Sequence, residues 1–376
     1  MVMLPFAVIF ASFLMPVLYS GALLGLLALT LSLRGVRISA PLPNGSGMVI
    51  ALFVIFAALA VLGPSFNHGV SGQNVDALKF LFATASLIIG LSFGSESASE
   101  SGSISGGLVR VVPWFIGVMA AYYGYLNLTE TPLSQEMLLY PPDNNHSASM
   151  LAVFLPIVVL QMRAKMRLVC LILLIAFAFF AASRALLALT LLASALSVQN
   201  VRQSKLLMIT VVAMAGAVLF YRGFSMDNFS DRLRLQIIEA SLHYAQTRGA
   251  YAFNLGEGAF ADYLNIYPVY QRLDIQHAHN MLLQIWVAYG LVPLGAFAAF
   301  LTALALYGWR QRNFLFLACF AVFMGLGMME ALITDIRAFG TIMFTLGYAY
   351  ARGSLVPSAG RDINHSAPQH RRPMPA

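Results

Sequence analysis

Charge is scarce in this sequence. Only 10% of its 376 residues are Asp, Glu, Lys or Arg, against roughly 25% in an average soluble protein. A soluble domain needs a polar shell, and too few charges are present to make one. A cytosolic globular enzyme, a disordered chain and a fibrous repeat are therefore excluded. Cysteine is scarcer still: Cys170 and Cys319 are the two, and both lie inside apolar runs. Neither a disulfide framework nor a cysteine-based metal site is expected. No basic stretch precedes the first apolar run, so no cleavable signal peptide is expected. A basic face is missing as well. The 22 Lys and Arg outnumber the 15 acidic residues for a net charge of +7, but they are scattered in ones, twos and threes, which excludes nucleic acid as the partner.

Apolar residues are what the chain has in quantity. They make up 59% of it, and the mean hydropathy is +0.77. The apolar runs are continuous rather than alternating, which excludes a membrane β-barrel and predicts an all-α, polytopic integral membrane protein. A helix needs about 20 apolar residues to cross a bilayer, or about 17 at the short end. Spans are expected near 2–15, 17–33, 47–64, 74–93, 107–127, 147–162, 167–183, 184–199, 204–222, 279–307, 313–332 and 335–352, which makes about 12 transmembrane helices. Residues 2–33, broken by Pro16 and Tyr19-Ser20-Gly21, also fit one long tilted helix, which would put the N-terminus outside.

The distribution of basic residues orients these spans. With the N-terminus inside, the inner segments carry Arg34, Arg37, Arg110, Arg163, Lys165, Arg167, Arg202, Lys205, Arg310, Arg312, Arg352, Arg361, Arg371 and Arg372, or 14 of the 22. The short outer segments hold Lys79, Arg184 and Arg337; of the other five, Arg222 ends span 204–222 and four belong to one long outer loop. The domain layout is then a single helical membrane domain, 1–352, with loop 223–278 inserted before the tenth helix. The polar tail 353–376 is expected to be disordered and cytoplasmic. Segment 94–106 is rich in Gly and Ser and reads as a linker. No convincing internal repeat supports the inverted-repeat layout of many transporters.

Three outer segments could carry chemistry. In the long loop, Asn228-Phe229-Ser230-Asp231 predicts a helix start with Ser230 as N-cap. Leu235, Ile238, Leu242 and Ala245 follow at the spacing of one apolar face. Arg232 and Arg234 then fall in the first turn, where cations oppose the helix dipole. A bound anion would reverse that sign, since free N–H groups and guanidinium forks favour phosphate; two solvated arginines offset by Asp231 are the plain alternative. Arg184, in Ser183-Arg184-Ala185-Leu186-Leu187, either faces a polar cavity or snorkels to water from an interfacial turn. The third segment is Gln276-His277-Ala278-His279-Asn280, at the outer mouth of span 279–307. Residues i and i+2 do not share a helix face, which argues against His277 and His279 as a metal pair. One histidine as general base is more economical, because the dipole at a helix N-terminus favours neutral imidazole; an interfacial hydrogen-bonding histidine is the plain reading. Gly256-Glu257-Gly258 reads as a tight turn, not a nucleotide loop. Glu330, Asp335 and Arg337 read as a local ion pair or as polar groups around the same cavity.

Taken in order, three segments make the chain resemble the O-antigen ligase and polymerase superfamily of bacterial envelope enzymes. Ser183-Arg184-Ala185-Leu186-Leu187 resembles the Ser-Arg motif at the outer end of a helix. Ser230-Asp231-Arg232-Leu233-Arg234-Leu235 with Asn254-Leu255-Gly256-Glu257-Gly258-Ala259-Phe260 resembles the arginine helix and Gly-x-Gly-x-Phe turn of the large periplasmic loop. His279-Asn280, nine residues and Gly290 resemble the signature His-Asn-x9-Gly. Pro293 and Gln236 depart from the common pattern.

The resemblance covers roughly residues 165–350. It implies a metal-independent, cofactor-free, inverting glycosyltransferase of the membrane-embedded type in the bacterial inner membrane, with its active site facing the periplasm. The donor would be a glycan on undecaprenyl pyrophosphate. The acceptor would be a second lipid-linked glycan for a polymerase, or lipid A-core for a ligase. Arg184 and Arg232 would bind the pyrophosphate and His279 would be the catalytic base, with Arg234, His277, Asn280 and Arg337 in support. Membrane lipid and polysaccharide assembly proteins are the expected partners. The alternatives are a transporter or flippase of lipid-linked oligosaccharide and a protein O-oligosaccharyltransferase.

Overall fold

The structure is a computed structural model that describes residues 45–68, 74–99, 105–129, 144–198, 229–247, 252–254, 256–272 and 277–354. The expected spans 2–15, 17–33 and 204–222, most of loop 128–146, and nearly all of the tail 353–376 lie outside the described residues. Fourteen helices are described: α1 (Ser46–His68), α2 (Asn74–Ser99), α3 (Ser105–Leu128), α4 (Asn144–Ala152), α5 (Leu155–Gln161), α6 (Ala164–Phe180), α7 (Arg184–Val198), α8 (Phe229–Thr247), α9 (Glu257–Asn265), α10 (Pro268–Arg272), α11 (Met281–Tyr289), α12 (Leu291–Arg310), α13 (Phe314–Gly327) and α14 (Ile336–Ser354). Among the described residues there is no strand. Segments Ser46–Gly63 of α1, Val111–Leu128 of α3 and Leu291–Arg310 of α12 are long and apolar enough to cross a membrane. Met48, Val54, Ile55 and Leu62 of α1 and Trp114 of α3 lie exposed on their surfaces, where lipid rather than water would solvate them.

Helix α14 is the axis of the packing. Residues 337–351 are buried throughout, so this helix presents no face to lipid and need not be uniformly apolar. Its Thr341 and Thr345 hydroxyls donate back to the Arg337 and Thr341 carbonyls, both at 2.8 Å, which satisfies them without a partner helix. The closest neighbour is α2. A Cβ on Gly90 would collide with the Phe344 carbonyl, and one on Gly347 would stand 2.5 Å from the Leu87 carbonyl. The two backbones touch through glycine, as small residues allow between membrane helices. Phe53 and Phe56 of α1, Phe80 of α2, Phe297 and Phe300 of α12 and Phe339 of α14 interlock around this axis.

Two expected spans are broken. Span 147–162 becomes α4 and α5, with the break at Val153-Phe154. Pro156, near the start of α5, lacks an N–H and its ring would clash with the carbonyl of Ala152, where α4 ends. Span 279–307 becomes α11 and α12, parted by Gly290 at φ +102°. Pro293 lies in the first turn of α12, where its missing N–H costs little. The Tyr289 carbonyl that it cannot serve accepts from Asn254 N–H at 3.0 Å instead.

A second, smaller core forms on the side of α11. Ile237, Tyr244 and Ala245 of α8, Phe260 and Leu264 of α9, Tyr270 of α10 and Val287 of α11 are buried together with Ala278. The buried stripe of α8 thus runs through Ile237, Ser241, Tyr244 and Ala245. The expected face through Leu235 and Leu242 is corrected: Leu235 is 63% and Leu242 40% exposed. Ser241 takes a place in the stripe because its hydroxyl donates to the Ile237 carbonyl at 2.6 Å, and an apolar periodicity count passes over it.

Candidate functional site

Helix α11 is fastened at both ends. At its C-terminal end, the chain around Asn254 lies against it: Gly256 N–H donates to the Ala288 carbonyl at 2.8 Å, and the Asn254 amide donates to the Trp286 and Val287 carbonyls at 2.9 and 3.1 Å. The Ala288 and Val287 carbonyls are ones that a helix end leaves without intrahelical partners, while the Trp286 carbonyl also accepts from Gly290 N–H at 2.9 Å. Val292 N–H donates to the Ala252 carbonyl at 3.0 Å. A side chain at Gly290 would stand 2.6 Å from that same oxygen, so the position needs glycine for both its φ and its space. Asn254 and Gly256 therefore form one junction with Gly290, more than thirty residues on. Glu257 completes it. Its carboxylate lies 2.8 Å from Nζ of Lys79, which is 3% exposed on α2 and also donates to the Tyr289 hydroxyl at 3.1 Å.

The N-terminal end of α11 carries the histidine. Asn280 is the N-cap: its side-chain oxygen accepts from Leu283 N–H at 3.0 Å, and its amide donates to the Met328 carbonyl at 3.1 Å. Gln284, fully buried, accepts from Ala278 N–H at 2.8 Å. Between these two fixed points His279 adopts φ +50°, the left-handed region, at a cost of order 1 kcal/mol. That turn brings Nδ1 of His279 to 3.3 Å from Oε2 of Glu330. The other oxygen, Oε1, accepts from Arg234 of α8 at 2.7 Å. Glu330 is 9% exposed on its side chain, His279 27% and Arg234 33%. One carboxylate thus ties the connector after α13 to both the arginine helix and the histidine. With Nδ1 donating to Glu330, Nε2 is left with its lone pair free to accept a proton.

The connector 328–335 continues into a second polar group. His146, 7% exposed at the start of α4, has Nε2 3.4 Å from the Ala331 carbonyl and 3.2 Å from the Thr334 hydroxyl. Asp335 ends the connector, one residue before α14, and Arg337 donates to it at 2.9 Å. The other side of the Asp335 carboxylate accepts from the Ala338 and Arg337 N–H groups at 3.1 and 2.8 Å. Asp335 and Arg337 are the local ion pair, whereas Glu330 belongs to the histidine.

Arg184 is partly buried at the first position of α7, behind Ser183, whose hydroxyl accepts from Leu186 N–H at 3.4 Å. The serine of the Ser-Arg motif is a helix cap, and the arginine stands at a helix N-terminus, where an anion is favoured. On the arginine helix, α8 begins at Phe229, so Ser230 lies inside it rather than before it. Arg232 falls in the first turn and is exposed, and Arg234 moves to the second turn. Glu330 stands between Arg234 and His279 and bonds to each. His277 is partly buried two residues before His279. Among the described residues, no three His, Cys, Asp or Glu side chains gather as a metal ion would require.

No family model matches this sequence, and no curated protein matches it significantly. His146 and the bond from Lys79 to Glu257 escape sequence reading: their partners lie far along the chain, and neither sits in a periodic or motif context.

Proposed function

We propose that the chain is a bacterial envelope polysaccharide polymerase or O-antigen ligase, an inverting glycosyltransferase with about twelve spans whose site faces the periplasm. The observation that carries this reading is the His279–Glu330–Arg234 contact. A histidine at a helix start, oriented through Nδ1 by a buried carboxylate, is equipped to accept a proton at Nε2. The acceptor hydroxyl loses its proton to Nε2 as its oxygen bonds to the anomeric carbon of the donor glycan. The bond from that carbon to the pyrophosphate oxygen breaks, and undecaprenyl pyrophosphate leaves. Attack opposite the leaving group inverts the centre. Arg184 and Arg232 hold the pyrophosphate and offset the charge that develops on it. Glu330 is a positioning residue, and Asn280 fixes the start of the helix. The linkage is already activated, so no nucleotide is needed.

The test uses purified protein and lipid-linked donor. His279→Gln keeps a hydrogen-bonding side chain but cannot take up the proton at neutral pH, and is expected to lose about 10²–10⁴-fold in rate. Arg184→Lys and Arg232→Lys are expected to lose most activity, because a point charge cannot make the bidentate fork. EDTA is expected to change nothing. Full activity of His279→Gln, or loss on chelation, would overturn the base assignment.

A further inference from the structure

The small core beside α11 has an outer surface built from tyrosines. Tyr244 of α8 contacts Tyr263 of α9 with ring centroids 4.8 Å apart. Tyr263 contacts Tyr267 at 5.9 Å, and Tyr267 contacts Tyr270 at 5.5 Å. Successive rings are tilted or edge-on rather than stacked flat, at 53°, 76° and 61°. The Tyr263 and Tyr267 hydroxyls lie 3.4 Å apart. The two ends of the row are sunk into the core: Tyr244 is 3% and Tyr270 8% exposed. Tyr267 is 41% exposed, Tyr263 is partly exposed, and Ile266 beside them is 70% exposed. Glu239 shares one face of α8 with Leu235 and Leu242, four residues from one and three from the other. Burial, then Tyr267 and Glu239, push the Tyr270 hydroxyl up from its ordinary value, and Asp262 and Asn265 are exposed on α9 beside Tyr263 and Ile266.

We infer that Tyr263 and Tyr267, braced by Tyr244 and Tyr270 and flanked along α9 by the exposed Asp262 and Asn265, form a platform that binds the sugar rings of the glycan chain. This rests on the glycosyl-transfer reading above and extends it from the reacting bond to the chain that carries it. A pyranose offers an apolar C–H face and an equatorial rim of hydroxyls. A tyrosine face covers the first, and phenol and carboxylate oxygens accept from the second. The same surface suits a bilayer poorly. Exposed apolar residues alone would fit lipid, but the Asp262 carboxylate beside Tyr263 is expensive to sink into hydrocarbon and repels anionic headgroups. The platform also joins the site, since Tyr270 and Tyr244 pack in the same core as Ala278, the residue before His279.

The probe is the set of oligosaccharides released by mild acid from the envelope polysaccharide of the source cells, bound to the full-length protein in nanodiscs. Wild type and His279→Gln are expected to bind equally. Tyr267→Ala is expected to weaken binding about threefold to tenfold, and Tyr263→Ala/Tyr267→Ala at least tenfold, with thermal melting of Tyr267→Ala unchanged because that ring stands outside the core. Tyr267→Phe keeps the ring and is expected to bind within about twofold. Unchanged affinity in the double variant, or no binding by wild type, would overturn the platform. So would a blue-shifted, lipid-quenched environmental dye on Tyr267→Cys, since it would mean that the row lies in the membrane. The two readings fail separately. Transfer that depends on His279 with binding indifferent to the tyrosines removes the platform alone; tyrosine-dependent binding without any transfer removes the enzymatic reading alone.

Discussion

Glu330 is the residue on which the proposed site turns, and Glu330→Gln probes it with almost no change in shape. The carboxylate serves two donors at once: Arg234 at 2.7 Å on one oxygen and Nδ1 of His279 at 3.3 Å on the other. A glutamine amide has one oxygen and one NH2, so it can serve only one of them. If the oxygen turned to His279, the NH2 would face the guanidinium, donor against donor. The charge-assisted bond lost there is worth about 1.5–3 kcal/mol, reduced because Arg234 is one-third exposed. The favoured arrangement therefore gives the oxygen to Arg234 and aims the NH2 at Nδ1. The imidazole must then present a lone pair at Nδ1 and carry its proton on Nε2, where it can no longer act as base. The rate should fall nearly as far as in His279→Gln, by about 10²–10⁴-fold, while membrane insertion is unaffected. Arg234→Ala alone should matter less, because it leaves the His279–Glu330 contact in place. Added to Glu330→Gln, it removes the competitor and frees the amide oxygen for Nδ1–H, so the double variant should regain part of the lost rate. The assay is product formation from lipid-linked donor by the four proteins. Wild-type activity in Glu330→Gln, or a double variant slower than Glu330→Gln, would refute the tautomer argument.

Gly290→Ala meets both a φ of +102° and an Ala252 carbonyl 2.6 Å from the new methyl group, and should cost about 1–3 kcal/mol, read as a lower melting temperature; an unchanged melt would show that the junction gives way freely. Lys79→Met strands the Glu257 carboxylate in a buried pair, a loss of about 3–5 kcal/mol. Lys79→Met/Glu257→Gln should be more stable than Lys79→Met alone, and equal melts would mean that the ion pair does not hold α9 against α2. Topology is read by labelling with an impermeant thiol reagent. Ser241 is buried, so the reporter belongs at the exposed Gln246, against a low background because Cys170 and Cys319 are both buried. Gln246→Cys should react in intact cells, and reaction only after the inner membrane is permeabilised would reverse the orientation.

Composition by itself determined that the chain is helical and suited to a membrane. Few charges and long apolar runs leave no other way to satisfy the backbone, and this holds whatever the packing. Caps and breakers act within a few residues, as Ser183 at α7 and Asn280 at α11 do, but the cap expected from the sequence, Ser230, lies inside α8. Other local breaks do not show in hydropathy, such as Pro156 dividing α4 from α5 and Gly290 dividing α11 from α12. Both lie inside unbroken apolar runs, where hydropathy sees no boundary. What only the tertiary structure decided are the pairings. Arg234 and Arg232 look alike in sequence, and nothing local announces that Arg234 bonds Glu330, 96 residues away. His279 is distinguished from His277 by a left-handed backbone and a carboxylate 51 residues off. Lys79 reads as one more outer cation until Glu257 and Tyr289 are seen to bury it. Such choices depend on which side chains face each other across packed helices, and neither periodicity nor hydropathy records them.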